Sequence, residues 1–331
     1  MKKKTKKPKK VAVLTSGGDA PGMNAAIRSV VRCAIYNDLE VFGVRYGYEG
    51  LIDGDFIKMN ARSVSNILSK GGTMLKTARS ERFMKKSGRG KAYSSLKRYA
   101  IDSLVVIGGN GSFKGAHKFS IEHKNIQVIG IPGTIDNDVA GTDYTIGAST
   151  AVNTALSAID KIRDTVSSME RIYVVEVMGR VEPFIAISVG LAGGAEDVLF
   201  PSSRYKIEDM YDDIRKGREK GKVSWIVIVS EGVAKASEIS DLISKNTGYM
   251  ARSVVLGYVQ RGGSPDAYDR ILASRMGAHA IEAVLKGESD KMVGIESHSV
   301  RLVTFDHACK RTKDKLNMEK KLYELTKVLA I

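Results

Sequence analysis

Short β-branched runs that end in glycine, each followed by a stretch of helical spacing, restrict this chain more than any other feature. KVAVLTSGG (10–18) leads into the helical MNAAIRSVVRCAIYN (23–37), and EVFGVRYG (40–47) leads toward VSNILSKGG (64–72), which reads as a helix closed by glycine. SLVVIGGNGS (103–112) and IQVIGIPGTIDND (126–138) repeat the strand-to-glycine pattern ahead of a helix over 146–166. RIYVVEVMG (171–179), GLAGGAEDVLFP (190–201) and KVSWIVIVSEG (222–232) follow, and YDRILASRMGAHAIEAVLKG (268–287) is again helical. Strands that are apolar along their whole length, alternating with helices, are covered on both faces. That predicts an α/β fold of βαβ units and parallel sheets.

In such sheets a ligand lies beyond the carboxyl ends of the strands. The informative residues therefore follow the apolar runs: TSGGD, GGNGS, PGTIDND, VMGR and VSEG. They hold glycines, hydroxyls and carboxylates, the groups a phosphate and metal site needs. In TSGGDAPGMN (15–24), Gly17 and Gly18 let backbone N–H groups approach a phosphate, and the helix that follows adds positive potential. The spacing is not GxGxxG, and neither GxxxxGKS nor GxxxxGKT occurs, which disfavours a Rossmann dinucleotide site and a P-loop. In GGNGS (108–112), Gly109 and Gly111 allow close backbone approach and Ser112 can donate a hydrogen bond. Taken alone, each loop is equally a tight turn.

The turn TIDND (134–138) adds what the glycine loops lack. Asp136, Asp138 and the nearby Asp143 have no lysine or arginine among them, so they repel one another unless a cation is placed there. A carboxylate aimed at a hydroxyl can take its proton, and a second can reach Mg2+ through water. The acidic turn thus points to phosphoryl transfer. Arg171, Arg180, Arg252 and Arg261 surround the later motifs; a guanidinium fork pairs with phosphate, or with a surface carboxylate. Glu231, at the end of an apolar strand, can accept from sugar hydroxyls.

Composition narrows the class. With 331 residues, 43% hydrophobic and 27% charged, the chain suits a soluble protein of two domains. It has no apolar run long enough for a membrane span and no signal-peptide pattern, and its two cysteines, Cys33 and Cys309, suggest no disulfide framework, so a cytoplasmic location is expected. Seven lysines lie in the first ten residues; taking them from the net charge of +15 leaves +8 on the body. The tail 1–10 is expected to be a disordered arm, nucleic acid is not expected as a partner, and the remaining charge suits anionic small molecules.

VLTSGGDAPGMNAAIR, VVIGGNGS, GIPGTIDND, GTDYTIG, VVEVMGR, LGYVQRGGSP and YDRILASRMGAHAI together resemble ATP-dependent 6-phosphofructokinase of the bacterial type, in order, over about residues 10 to 325. The resemblance implies two Rossmann-like domains with mainly parallel β-sheets flanked by helices and the active site in the cleft between them. The larger, nucleotide-binding domain would take 11–146 plus 259–309, and the smaller, sugar-phosphate-binding domain 147–258 plus 310–331. It implies glycolytic phosphorylation of fructose 6-phosphate at the 1-hydroxyl by ATP with Mg2+, in a homotetramer.

Residue by residue, the family's proton-abstracting aspartate falls on Asp136, with Thr134 and Asp138 in the same site. Gly17, Tyr48, Arg79, Ser80, Gly109, Asn110, Gly111 and Ser112 match nucleotide-binding positions, and Arg79 would steady the transferring phosphoryl group. Asn110 and Asp138 match the positions linked to the metal. Met178, Gly179, Arg180, Glu231, Tyr258 and Arg261 match the sugar-phosphate site, with Arg180 also implied in catalysis. Arg171 and Arg252 match positions supplied by a neighbouring subunit. An effector site for ADP or phosphoenolpyruvate is implied at Arg28, Arg32, Arg62, Arg163, Lys220 and Lys222, with Glu196 as its acidic member. Gly111 and Gly133 are small, as in ATP users; pyrophosphate users carry Asp and Lys there. Three departures stand out: Asn110 replaces the aspartate of GGDGS, Tyr258 replaces the sugar-phosphate histidine, and VEPFIAIS (181–188) replaces a glycine-containing segment. They keep open a catalytically impaired or substrate-altered paralogue that binds nucleotide and sugar phosphate in a regulatory role.

Overall fold

The computed structural model describes residues 10–201, 203, 206–310 and 313–330. The expected tail lies outside the described residues except for Lys10, which opens the first strand and bonds the Tyr99 carbonyl at 3.2 Å. The strands among the described residues run β1 (Lys10–Ser16), β2 (Glu40–Val44), β3 (Phe56–Met59), β4 (Ser103–Gly108), β5 (Gln127–Pro132), β6 (Ile172–Val177), β7 (Asp197–Leu199), β8 (Trp225–Ser230), β9 (Ala251–Val255), β10 (Lys291–Glu296) and β11 (Ser299–Thr304).

The described residues fall into two compact units. The first takes in those of Met1–Ser149 and Arg261–Arg311, the second those of Thr150–Gln260 and Thr312–Ile331. In the first unit the sheet order is β11-β10-β5-β4-β1-β2-β3. Its five inner strands are parallel, and Val11 to Leu14 and Leu104 to Ile107 are wholly buried. This is the burial on both faces that uninterrupted apolar runs demand. One face carries the helices Met23–Tyr36 and Ala267–Leu285, which meet closely because Gly277 lies against Ser29, whose hydroxyl bonds the Ser274 carbonyl at 2.6 Å. The other face packs Leu14, Val44, Val106, Phe113, Phe119 and Phe305 into a core.

The sheet is mainly parallel, as expected, with its two exceptions at the edges. β3 and β11 are antiparallel to their neighbours. The β10–β11 hairpin turns on Ser297 and His298, both left-handed at φ 47° and 67°, the backbone of a two-residue hairpin. A serine and a histidine are unusual there, so no Asn-Gly signal marked it.

The expected helix over 64–72 is a run of turns. Val64 and Ile67 are buried at helical spacing, but Asn66 adopts φ 56° and Asn60 diverts the chain by accepting from the N–H groups of Arg62 and Ser63 at 2.9 and 3.0 Å. The expected strand over 40–47 likewise ends at Val44, because Tyr46 and Gly47 are left-handed and begin the helix Gly47–Asp53.

The second unit has a four-stranded parallel sheet, β7-β8-β6-β9. Its core gathers Ile172, Val174, Met210, Ile214, Trp225 and Val227. Trp225 donates its indole N–H to Asp197 at 2.8 Å, which satisfies both buried polar groups.

Candidate functional site

In the first unit β5, β4 and β1 are adjacent, and Ser16, Gly108 and Pro132 lie level in register. The loops that follow these strands therefore leave the sheet side by side, at its carboxyl edge. They wall a cavity of about 800 Å³. Gly17, Gly18, Gly109, Gly111, Ser112, Gly133, Thr134, Asp136 and Asp138 all line it, with Tyr48, Arg79, Ser80, Asn110 and Arg261.

Each loop is shaped by a local necessity. Gly17 sits at φ 95°, where a side chain is strained. A Cβ on Gly18 would lie 2.3 Å from Arg261 Nη1, so glycine there admits the guanidinium, which also donates to the Asp19 carbonyl at 3.1 Å. Ser112 does not aim its hydroxyl outward; it donates to the Ser16 carbonyl at 2.9 Å and binds the two glycine loops together. Gly109 precedes the helix Asn110–Glu122, whose N-terminal N–H groups face the cavity end of the loop.

Tyr48 is buried and stacks on Phe83 with ring centroids 3.8 Å apart. Its hydroxyl donates to the Ser112 carbonyl at 2.6 Å, and burial pushes the phenol far above its usual range, so it acts as a neutral donor. Ser80 caps the short helix Glu81–Met84 by accepting from Phe83 N–H at 3.0 Å. Arg79, just before it, is exposed and forms no ion pair with another described residue.

In the acidic turn, Thr134 Oγ1 accepts from Asp136 N–H at 3.2 Å and lies 3.4 Å from Asp136 Oδ2 as a donor. Asn137, left-handed at φ 49°, points inward: its amide donates to the Asp143 carbonyl at 3.1 Å and accepts from Thr145 N–H at 3.0 Å. This buried clamp faces Asn137 away from the cavity that Asp136 and Asp138 line. Asp143 does not join them there; its carboxylate accepts from Ser297 N–H at 2.8 Å and secures the hairpin. Asn110 donates to Asp138 Oδ2 at 2.7 Å.

The sequence reading missed part of the wall. Lys114, His117 and Lys118 extend from Asn110 along one helix face, with His117 Nδ1 2.8 Å from Asp290 Oδ1. Their spacing of three and four was the available signal. Cys309 also lines the cavity, and burial pushes its thiol up.

The remaining residues expected at the sugar-phosphate site lie in the second unit. Met178, Gly179 and Arg180 follow β6 and Glu231 follows β8, so they share the carboxyl edge of that sheet. Gly179 takes φ 133°, and the buried Ser230 hydroxyl bonds its carbonyl. Arg171 precedes β6 and Arg252 sits near the start of β9, opposite Tyr173, which places both at the other edge. Six strand residues separate the edges, roughly 20 Å. Tyr258 is 81% exposed.

Of the expected effector residues, Glu196 pairs with Lys222 at 3.2 Å and accepts from Ile226 N–H at 2.6 Å, while Arg163 bonds the carbonyls of Gly193 and Gly194. Lys220 caps the helix Ile207–Glu219. Arg28 and Arg32 project one turn apart from the helix Met23–Tyr36, and Arg62 is exposed; these three belong to the first unit.

Comparison with known proteins places the chain in one family. Residues 10–284 match the model of the phosphofructokinase family. The chain is 51% identical to an ATP-dependent 6-phosphofructokinase of Halothermothrix orenii, covering 98% of this chain and 100% of the relative. It is 47% identical to one of Brevibacillus brevis, with the same coverage. Among solved structures, a phosphofructokinase from Saccharomyces cerevisiae aligns with a TM-score of 0.85 at 35% identity; the match covers 97% of this chain but 48% of the yeast chain.

Proposed function

We infer the activity from one premise: the chain belongs to the phosphofructokinase family. It is a phosphotransferase that uses ATP to phosphorylate fructose 6-phosphate, a step of glycolysis. The observation that carries the chemistry is the convergence of three strand ends on one cavity, bringing two glycine loops, a helix N-terminus, Arg79, Arg261 and two carboxylates together.

Asp136 serves as the general base. Its backbone and carboxylate are both held by Thr134, and it takes the proton of the sugar 1-hydroxyl as that oxygen attacks the γ-phosphorus. A positioned base contributes roughly 10²- to 10⁴-fold. Arg79, in the cavity wall and without an ion pair among the described residues, stabilises the charge that spreads over the transferring phosphoryl oxygens. The glycine loops and the start of the helix Asn110–Glu122 cradle the phosphates. Gly111 faces open space, so nothing from it intrudes on a nucleotide.

The residues present suit Mg2+. Mg2+ is commonly held by one or two carboxylates, with phosphates and water filling its shell. Asp136 and Asp138 line the cavity, and Asn110 Oδ1 is buried with no hydrogen-bond partner. Asp138 and Asn110 would hold the ion, which when bound neutralises charge on the β- and γ-phosphates.

Met178, Gly179, Arg180, Glu231, Tyr258 and Arg261 bind fructose 6-phosphate. Arg171 and Arg252, at the opposite sheet edge, serve the site of a neighbouring copy, which requires an oligomer; a homotetramer acting in the cytoplasm is the family's form. Arg28, Arg32 and Arg62 in the first unit, and Arg163, Glu196, Lys220 and Lys222 in the second, are proposed as the residues that serve ADP or phosphoenolpyruvate as effectors. A coupled assay with fructose 6-phosphate, Mg2+ and either ATP or pyrophosphate tests the reading. Turnover with ATP and none with pyrophosphate is expected; silence with ATP overturns it.

A further inference from the structure

Asp138 ends the acidic turn and lines the cavity, yet its side-chain partner is an amide rather than a cation. Asn110 Nδ2 donates to Asp138 Oδ2 at 2.7 Å and lies 3.2 Å from the Asp138 carbonyl. A carboxylate can only accept, so the N–H end of the amide must face it. That leaves Asn110 Oδ1 turned away, buried and without a hydrogen-bond partner. A buried polar atom left unpaired carries a desolvation penalty, so this orientation is held against a local cost. The two residues are 28 positions apart, on the loops that follow neighbouring strands.

We propose that Asn110 takes the place of a counter-charge for Asp138: its N–H group satisfies the carboxylate while the cavity holds no nucleotide, so that a divalent cation enters only with the nucleotide phosphates. The inference rests on the reading of this cavity as a Mg-nucleotide site. An aspartate at 110 would set two carboxylates at the same separation with no donor between them. That repulsion destabilises the metal-free cavity and is relieved by a cation. One more carboxylate in the shell also raises affinity for the free ion, because ligand charge tunes divalent binding. The asparagine thus exchanges affinity for free metal against a cavity that is ordered without it.

Mn2+ serves as the probe, followed by its electron paramagnetic resonance signal in the full-length protein. Without nucleotide the wild type should leave Mn2+ almost entirely free, and a non-hydrolysable ATP analogue should make it bind. Asn110→Asp should bind Mn2+ without nucleotide at least about tenfold more tightly than the wild type. The gain should vanish in Asn110→Asp/Asp138→Asn. Stripped of metal, Asn110→Asp should melt below the wild type and recover with excess Mg2+. Equal Mn2+ affinity in the two proteins, or a gain that survives the second substitution, overturns the proposal. Should Asn110→Asp not fold, the wild-type titration still decides: tight Mn2+ binding in the absence of nucleotide sinks it. Kinase activity is read separately. An inactive wild type with the expected Mn2+ pattern rejects the enzyme reading and keeps this one, whereas an active enzyme that binds free Mn2+ tightly does the reverse.

Discussion

Asp136 and Ser230 show how much a single side chain can decide here. Asp136→Ala removes the proposed base and leaves the rest of the cavity lining in place. The kcat should fall at least roughly 10²-fold while the KM values for both substrates move little; steady-state kinetics showing near-normal kcat would rule Asp136 out. Ser230 acts through another residue. It is wholly buried and bonds the Gly179 carbonyl, in a turn where a Cβ on Gly179 would come within 2.7 Å of the Glu182 carbonyl. Arg180 follows Gly179 directly in that turn. Ser230→Ala should raise the KM for fructose 6-phosphate about five- to tenfold, the worth of one buried hydrogen bond, with kcat and the KM for ATP nearly unchanged. Ser230→Thr, which keeps the hydroxyl, should restore it. A loss shared equally by kcat and both KM values would mean that Ser230 only supports the fold.

At the scale of elements, the helices Lys86–Arg98 and Asn110–Glu122 are fastened by Arg89, which bonds Glu122 at 2.6 and 2.7 Å and the Phe83 and Met84 carbonyls at 3.0 and 2.7 Å. The Arg89 hydrogen bond holds the Glu122 carboxyl below its ordinary value of 4.5. A carboxyl whose folded pKa is depressed contributes its full stabilisation above the unfolded value and loses it as pH falls through the folded one. Thermal melting of the wild type should therefore drop on acidification below about pH 4.5. Glu122→Gln should lower stability at neutral pH by about 2 kcal/mol, because Arg89 is left poorly paired in a buried position, and should flatten the acid slope. Parallel melting curves for the two proteins across pH 3 to 7 would contradict this. Element types were mostly legible in the sequence, since continuous apolar runs and three-to-four spacing follow from which faces are buried. The segment 64–72 was not, because Asn60 and Asn66 override its helical spacing through side-chain bonds and a left-handed backbone.

At the scale of the whole molecule, the proposed effector response draws on residues far apart in the chain. Arg163 bonds the Gly193–Gly194 loop and Lys222 pairs with Glu196. Replacing Arg163 by Ala should abolish the response to ADP or phosphoenolpyruvate at low fructose 6-phosphate and leave the rate at saturation within about twofold, less than the smallest effect of losing a catalytic group. If neither ligand binds the wild type in a titration, the effector assignment fails. The sequence by itself determined the alternation of strand and helix, the glycine loops and the acidic turn, because all of these are written in spacings of a few residues. Only the tertiary structure decided which strand ends are neighbours. It brought Asn110 to Asp138 across 28 positions and Arg261 to Asp19 across 242. It also turned Asn137 and Asp143 away from the cavity and set Arg171 and Arg252 at the far edge of their sheet. The physical reason is that local periodicity records only whether a face is buried. Strand order and the direction of a side chain in a turn depend on partners that arrive from distant parts of the chain.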